Sequence, residues 1–197
     1  GLELRRVLFR SSGYGISADD PGEKSDLRLH VVCLDRRTGK IVWNESIAAS
    51  PSTQNLSRRI ADHGYATSTP TTDGKAVYAF FGVSGIVAFD WDGNLMWKAE
   101  VGTKTAGFGS ASSPVLFKDL VIVNASIESS TVFAFDKKTG KEVRKSESIM
   151  RTGTTPCIAA APDGALELVI NQKDTIYGFD PRTGKQLWHY EGIHDYV

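Results

Sequence analysis

An all-β fold assembled from a recurring four-stranded unit is what this 197-residue sequence predicts, and three observations predict it. The first is a ten-residue string. Leu34-Asp35-Arg36-Arg37-Thr38-Gly39-Lys40-Ile41-Val42-Trp43 returns as Phe135-Asp136-Lys137-Lys138-Thr139-Gly140-Lys141-Glu142-Val143-Arg144 and as Phe179-Asp180-Pro181-Arg182-Thr183-Gly184-Lys185-Gln186-Leu187-Trp188. A shorter copy, Phe89-Asp90-Trp91-Asp92-Gly93-Asn94-Leu95-Met96-Trp97, lies between the first two, so the Asp positions stand 55, 46 and 44 residues apart. The second observation is a marker in phase with the first: Thr69-Pro70, Ser113-Pro114 and Thr155-Pro156, separated by 44 and 42 residues. Two markers keeping one period indicate a repeat architecture. The third is the texture between markers, where short β-rich apolar stretches are bounded by Gly, Asp, Asn and Pro and none keeps helical spacing with caps.

Taken along one period, Val115–Phe117, Leu120–Val123, Thr131–Phe135 and Lys141–Val143 read as four strands. The Asp-x-x-Thr-Gly string between the last two is a hairpin turn, in which Asp35, Asp136 and Asp180 accept backbone N–H groups while Gly39, Gly140 and Gly184 take positive φ. Asp90 and Gly93 form a copy one residue shorter that lacks the Thr. Four strands every 40 to 50 residues, roughly, is the signature of a β-propeller blade. A blade cannot bury its own faces, so Trp43, Trp97 and Trp188, each four residues after the turn glycine, are expected to wedge against the neighbouring blade. Arg144 stands where the third such Trp belongs, and its junction is expected to pack differently.

The blades fall at about 27–48 (partial), 66–105, 109–150 and 152–192, some three and a half blades of a seven- or eight-bladed ring. Residues 1–12 match no repeat. Their Arg-Arg-Val-Leu-Phe-Arg-Ser run resembles the translation of a sequencing adapter and is expected not to be native, leaving 13–197 as a fragment of one propeller domain. An open arc exposes unpaired strand edges, so the fragment is expected to self-associate.

Charge narrows the function. With 23 Lys+Arg against 23 Asp+Glu there is no basic footprint for nucleic acid, and no apolar run is long enough for a transmembrane helix. Cys33 and Cys157 are too few for a disulfide framework. Catalytic constellations fail one by one. Asp90 to Asn94 lacks the Gly and Glu of a calcium loop, since Leu95 and Val101 occupy those positions. Gly102-Thr103-Lys104-Thr105 lacks the earlier Gly of a phosphate loop, and Gly82-Val83-Ser84-Gly85 carries Ile86 where a nucleophile elbow needs Gly. His189 and His194 beside Glu191 are too few to hold zinc. No catalytic, cofactor-binding or metal-ligating residue is assigned.

The repeat Ala/Phe-x-Asp-x-x-Thr-Gly-x-x-x-Trp, together with Thr69 to Tyr78 and Phe81 to Gly85, resembles the PQQ-like (quinoprotein-like) β-propeller family, and within it the secreted repeat proteins of planctomycete-type bacteria. The resemblance covers about residues 27–192. It implies a secreted or periplasmic protein and, most often, a scaffold that binds a protein or glycan partner without a cofactor. It also implies two alternatives: a PQQ-dependent dehydrogenase, which would need adjacent cysteines, a calcium site and a catalytic Asp, or a propeller of the outer-membrane protein assembly type. Propellers bind through the loops gathered at one end of the ring. Those loops supply the candidate partner-binding residues Arg58, Arg59, His63, Tyr65, Phe108, Glu128, Arg151 and Lys173, the first three in the stretch lengthened by the 55-residue spacing.

Overall fold

The computed structural model describes residues 5–12, 23–56 and 65–193. It contains four antiparallel meanders. The first is three-stranded: β1 (Arg5–Ser12), β2 (Arg28–Asp35) and β3 (Ile41–Ala48). The second runs β4 (Thr71–Thr72), β5 (Ala76–Phe80), β6 (Ile86–Asp90) and β7 (Leu95–Ala99). The third runs β8 (Val115–Phe117), β9 (Leu120–Ala125), β10 (Thr131–Asp136) and β11 (Glu142–Ser146), and the fourth β12 (Cys157–Ala160), β13 (Leu166–Gln172), β14 (Asp174–Phe179) and β15 (Gln186–Ile193). The predicted blade strands are therefore present, and the fold is the partial propeller the sequence predicts. Residues 5–12, which match no repeat, pair with β2 over eight positions, from Arg5 opposite Asp35 to Ser12 opposite Arg28.

Each Asp turn closes by the chemistry its residues dictate. Asp136 Oδ1 accepts from the Lys138 and Thr139 backbone N–H groups and the Thr139 hydroxyl, while Gly140 N–H returns to the Asp136 carbonyl. Thr139, through hydroxyl and backbone, holds the Asp136 carboxyl below the usual carboxylate range. In the shortened copy Asn94 replaces the missing Thr: its backbone N–H donates to Asp90 Oδ1 at 2.8 Å and its side-chain amide to Oδ2 at 2.9 Å. The departure from the repeat leaves the turn intact.

Immediately before every one of these turns the register slips by one, at Cys33/Leu34, Ala88/Phe89, Ala134/Phe135 and Gly178/Phe179. The residue squeezed out on the outer strand, Val42, Met96, Val143 or Leu187, is exposed in each case. Such a bulge re-aims the next side chain. That next residue is Trp43, Trp97, Arg144 or Trp188.

The re-aimed side chain ties its sheet to the following one. Trp43 Nε1 donates to the Trp91 carbonyl at 3.2 Å and Trp97 Nε1 to the Lys137 carbonyl at 2.9 Å, in both cases the residue after the next turn's Asp. Arg144 makes the corresponding bond: its Nη2 donates to the Pro181 carbonyl at 2.6 Å and its Nε to the Arg182 carbonyl at 3.1 Å. The substitution keeps the polar tie but not the bulk, and a cleft of about 410 Å³ lies beside it, lined by Ser146, Ile149, Tyr177 and Phe179. Trp188 departs from expectation. It is 37% exposed, lies across Gly178 of its own sheet and donates to Glu167 Oε2 at 2.7 Å, because no described sheet follows to cover it.

Apolar faces fill the spaces between sheets. Leu29, Val31, Cys33 and Trp43 meet Val77, Ala79, Val87 and Phe89; the other face of the second sheet, with Tyr78, Phe80, Ile86 and Trp97, meets Val121, Val123, Phe133 and Phe135. Leu120, Ile122 and Ala134 in turn meet Leu168, Ile170 and Phe179. The Thr/Ser-Pro marker forms a second tie near the opposite end of the blades: Thr69 N–H donates to Ser113 Oγ at 2.9 Å and Ser113 N–H to Thr155 Oγ1 at 3.0 Å. Each of the two sequence markers thus links one blade to the next.

Candidate functional site

A meander puts its first and third connections at one end and its second connection, with the link to the next blade, at the other. The Asp turns occupy the first end. At the second end gather the Gly82–Ser84 turn, the short helix α1 (Ser126–Ser129), and the interblade stretches around 65–70, 100–114 and 147–156. This is the loop face to which the candidate residues belong.

Arg58, Arg59 and His63 lie outside the described residues. The other five are brought together. Tyr65, Phe108 and Glu128 line a small cavity of about 30 Å³ between the second and third blades. Phe108, Arg151 and Lys173 line an open groove of about 530 Å³ toward the fourth blade, over a floor of Ala111, Ile127 and Thr152. Phe108, Gly109 and Ile127 belong to both hollows, making them one continuous concave surface. Phe108 is 64% exposed, and Arg151, Lys173 and Lys104 are exposed at the rim.

Glu128 is the unusual member. It sits in α1, only 2% exposed, and burial pushes its carboxyl up to about 7. Two glycines let it in. A Cβ on Gly82 (φ +54°) would lie 3.2 Å from Glu128 Oε1, and one on Gly102 (φ +127°) would lie 2.4 Å from the Glu128 carbonyl. These are the glycines of the two strings that failed as a nucleophile elbow and a phosphate loop. Sequence reasoning saw positive-φ punctuation there and missed the buried acid that the punctuation accommodates.

No group of three His, Cys, Asp or Glu converges among the described residues. Cys33 is buried in the first sheet and Cys157 is exposed on the fourth. His189 faces solvent 3.9 Å from Glu191, and His194 lies outside the described residues. No helix among the described residues is long and apolar enough to cross a membrane.

Residues 14–146, more than half of the chain, match the PQQ-repeat family described as outer membrane protein assembly factor BamB. The chain belongs to that family. No curated protein matches it in sequence. Among solved structures, BamB from Moraxella catarrhalis superposes with a TM-score of 0.60 at 16% identity, over 85% of this chain and 49% of that one. A europium-containing methanol dehydrogenase gives 0.58 at 16% identity over 94% of this chain and 40% of that one. The quinohemoprotein alcohol dehydrogenase of Comamonas testosteroni gives 0.58 at 16% identity over 94% and 33%. At these identities the likeness is one of fold, and the chain spans half or less of each of these structures.

Proposed function

We propose that the chain is a non-catalytic propeller scaffold that binds a partner through its loop face. The observation carrying this reading is the convergence of Tyr65, Phe108, Glu128, Arg151 and Lys173 on one concave surface with an exposed aromatic at its centre. Aromatic and Arg side chains beside a groove are what protein interfaces use as anchors. A protein partner is favoured over a glycan, because the groove offers one exposed ring flanked by two cations. The family's description and the BamB likeness support an interaction role of the outer-membrane protein assembly kind, in a secreted or periplasmic setting.

The alternative, a PQQ-dependent dehydrogenase, draws on the fold shared with two such enzymes. It would place the cofactor residues in blades outside this chain, which spans 40% and 33% of those enzymes, because here the two cysteines lie in different sheets and the repeat aspartates are engaged in their turns.

Site-specific photo-cross-linking separates the two ends of the blades. With p-benzoylphenylalanine at position 108 the full chain, expressed in a Gram-negative host, is expected to form discrete protein adducts; with the same residue at position 138, on the Asp-turn end, it is expected to form none. Adducts from 138 alone would overturn the assignment of the loop face.

A further inference from the structure

The loop face holds an acidic group with one oxygen left unsatisfied among the described residues. Glu128 Oε2 is fully shielded from solvent and has no hydrogen-bond partner among the described residues, and the same is true of Ser110 Oγ on the lining of the same cavity. Among the described residues no cation pairs with Glu128. Lys104 is held to it only through backbone, its N–H donating to the Glu128 carbonyl at 3.0 Å, and its side chain is exposed. A buried carboxyl with an unpartnered oxygen lowers its cost by holding a proton, and an arriving cation can take that proton's place.

Cavity size and lining define the arrival. The hollow of about 30 Å³ has room for roughly two waters, the space of one ammonium group and the methylene that bears it. Its lining combines rings and aliphatic groups, Tyr65, Phe81, Phe108, Leu56 and Ile127, with the hydroxyl-bearing Thr53, Thr67, Ser68, Ser84, Thr105 and Ser110. Rings and apolar walls suit an aliphatic stem carrying a cation, which the ring faces also attract. Hard divalent ions are usually held by several carboxylates, and Glu128 is the one carboxylate among the described lining residues.

We propose that this cavity receives the ammonium group of a lysine side chain presented by a protein partner. The ammonium donates to Glu128 Oε2 and to Ser110 Oγ, and the stem lies between Tyr65 and Phe108. The proposal rests on the loop-face reading above and names the chemistry of its deepest contact. It also sets a pH dependence. The ionisable groups lining the cavity are Glu128, Lys104 and Tyr65. With the Glu128 carboxyl at about 7, the ammonium must displace a proton below that pH. Affinity is therefore expected to fall about tenfold from pH 8 to pH 6.

The test titrates the full chain with acetyl-Gly-Lys-Gly-amide and with acetyl-Gly-norleucine-Gly-amide, following backbone amide NMR shifts. Saturable shifts at residues 82–84, 102–104 and 127–129 are expected with the lysine peptide at pH 8, about tenfold weaker binding at pH 6, and none with norleucine. Glu128→Gln is expected to abolish the response while its melting temperature stays at or above that of the unaltered chain. The pH dependence of the unaltered chain decides the matter independently if that variant fails to fold. An unchanged response in Glu128→Gln, or equal binding of norleucine, overturns the proposal. So does a response that appears only in Lys104→Ala, which would mean that the chain's own lysine fills the cavity. Binding of n-butylammonium chloride without binding of the lysine peptide overturns the protein source. If the peptide does not bind while position 108 still cross-links, the pocket assignment fails and the loop-face reading stands.

Discussion

Replacing Trp97 by Ala is expected to lower the stability of the chain by about 3–5 kcal/mol, the range for removing a buried Trp. The side chain is 8% exposed, donates to the Lys137 carbonyl at 2.9 Å, and has Tyr78 and Phe135 rings 6.0 and 6.4 Å away. The substitution opens a cavity between two blades and strands a backbone acceptor at once, so the effect belongs at the upper end for one residue. Trp188 provides the internal comparison. It occupies the same repeat position but is 37% exposed and rests on its own sheet, so Trp188→Ala is expected to cost less than about 1 kcal/mol. Urea unfolding monitored by circular dichroism reads both. Equal losses for the two variants would mean that the tryptophans do not act between blades.

Gly140→Ala is expected to be the next most damaging change, at about 2–4 kcal/mol, for two separable reasons. The backbone there has φ +68°, which costs an L side chain about 1 kcal/mol or more. The new Cβ would also stand 2.5 Å from Trp97 Cδ2, a position no Cβ can occupy without pushing the ring off the turn. Gly164 isolates the first reason, since its φ is +84° and nothing lies within 4 Å of the added carbon. Gly164→Ala is expected to lose only the conformational part, about 1 kcal/mol, and the difference in urea midpoint between the two variants measures the contact with Trp97.

That pair shows what the sequence could and could not convey. The Asp-x-x-Thr-Gly string announced a turn with a positive-φ glycine, and the Trp four residues later announced a wedge; both follow from local residue chemistry. That the Trp of one blade lands on the turn glycine of the next is a relation between positions 97 and 140, and only the packed sheets reveal it. The recurrent bulge was illegible for a similar reason: Val42, Met96, Val143 and Leu187 look like core residues and are exposed because the register slips beside them. Arg144 read as a defect, yet its guanidinium reaches the carbonyl that an indole N–H would have reached.

The loop face was legible as a region and not as a site. Repeat phase alone placed Tyr65, Phe108, Glu128, Arg151 and Lys173 at one end of the blades, and the structure gathers all five around two adjoining hollows. The burial of Glu128 was hidden, because a Glu in a polar loop string reads as solvated. What buries it comes from Gly82 and Gly102, both on the preceding blade or its link. A pair of positive-φ glycines in neighbouring loops was the available signal, and it carried no information about which side chain would approach them.

Exchange of the tryptophan indole protons with solvent bears most directly on the central claim, that successive blades are sealed by the repeat's own side chains and so hold the loop face in one piece. The indole N–H groups of Trp43 and Trp97 donate across blade boundaries from buried rings, whereas that of Trp188 donates to a carboxylate on its own sheet from an exposed ring. Hydrogen exchange followed by NMR is expected to show Trp43 and Trp97 protected by at least two orders of magnitude relative to Trp188, on the order of the protection given by partial or global unfolding. Similar fast exchange for all three would contradict the stacked-blade account and, with it, the single concave face on which the proposed binding depends.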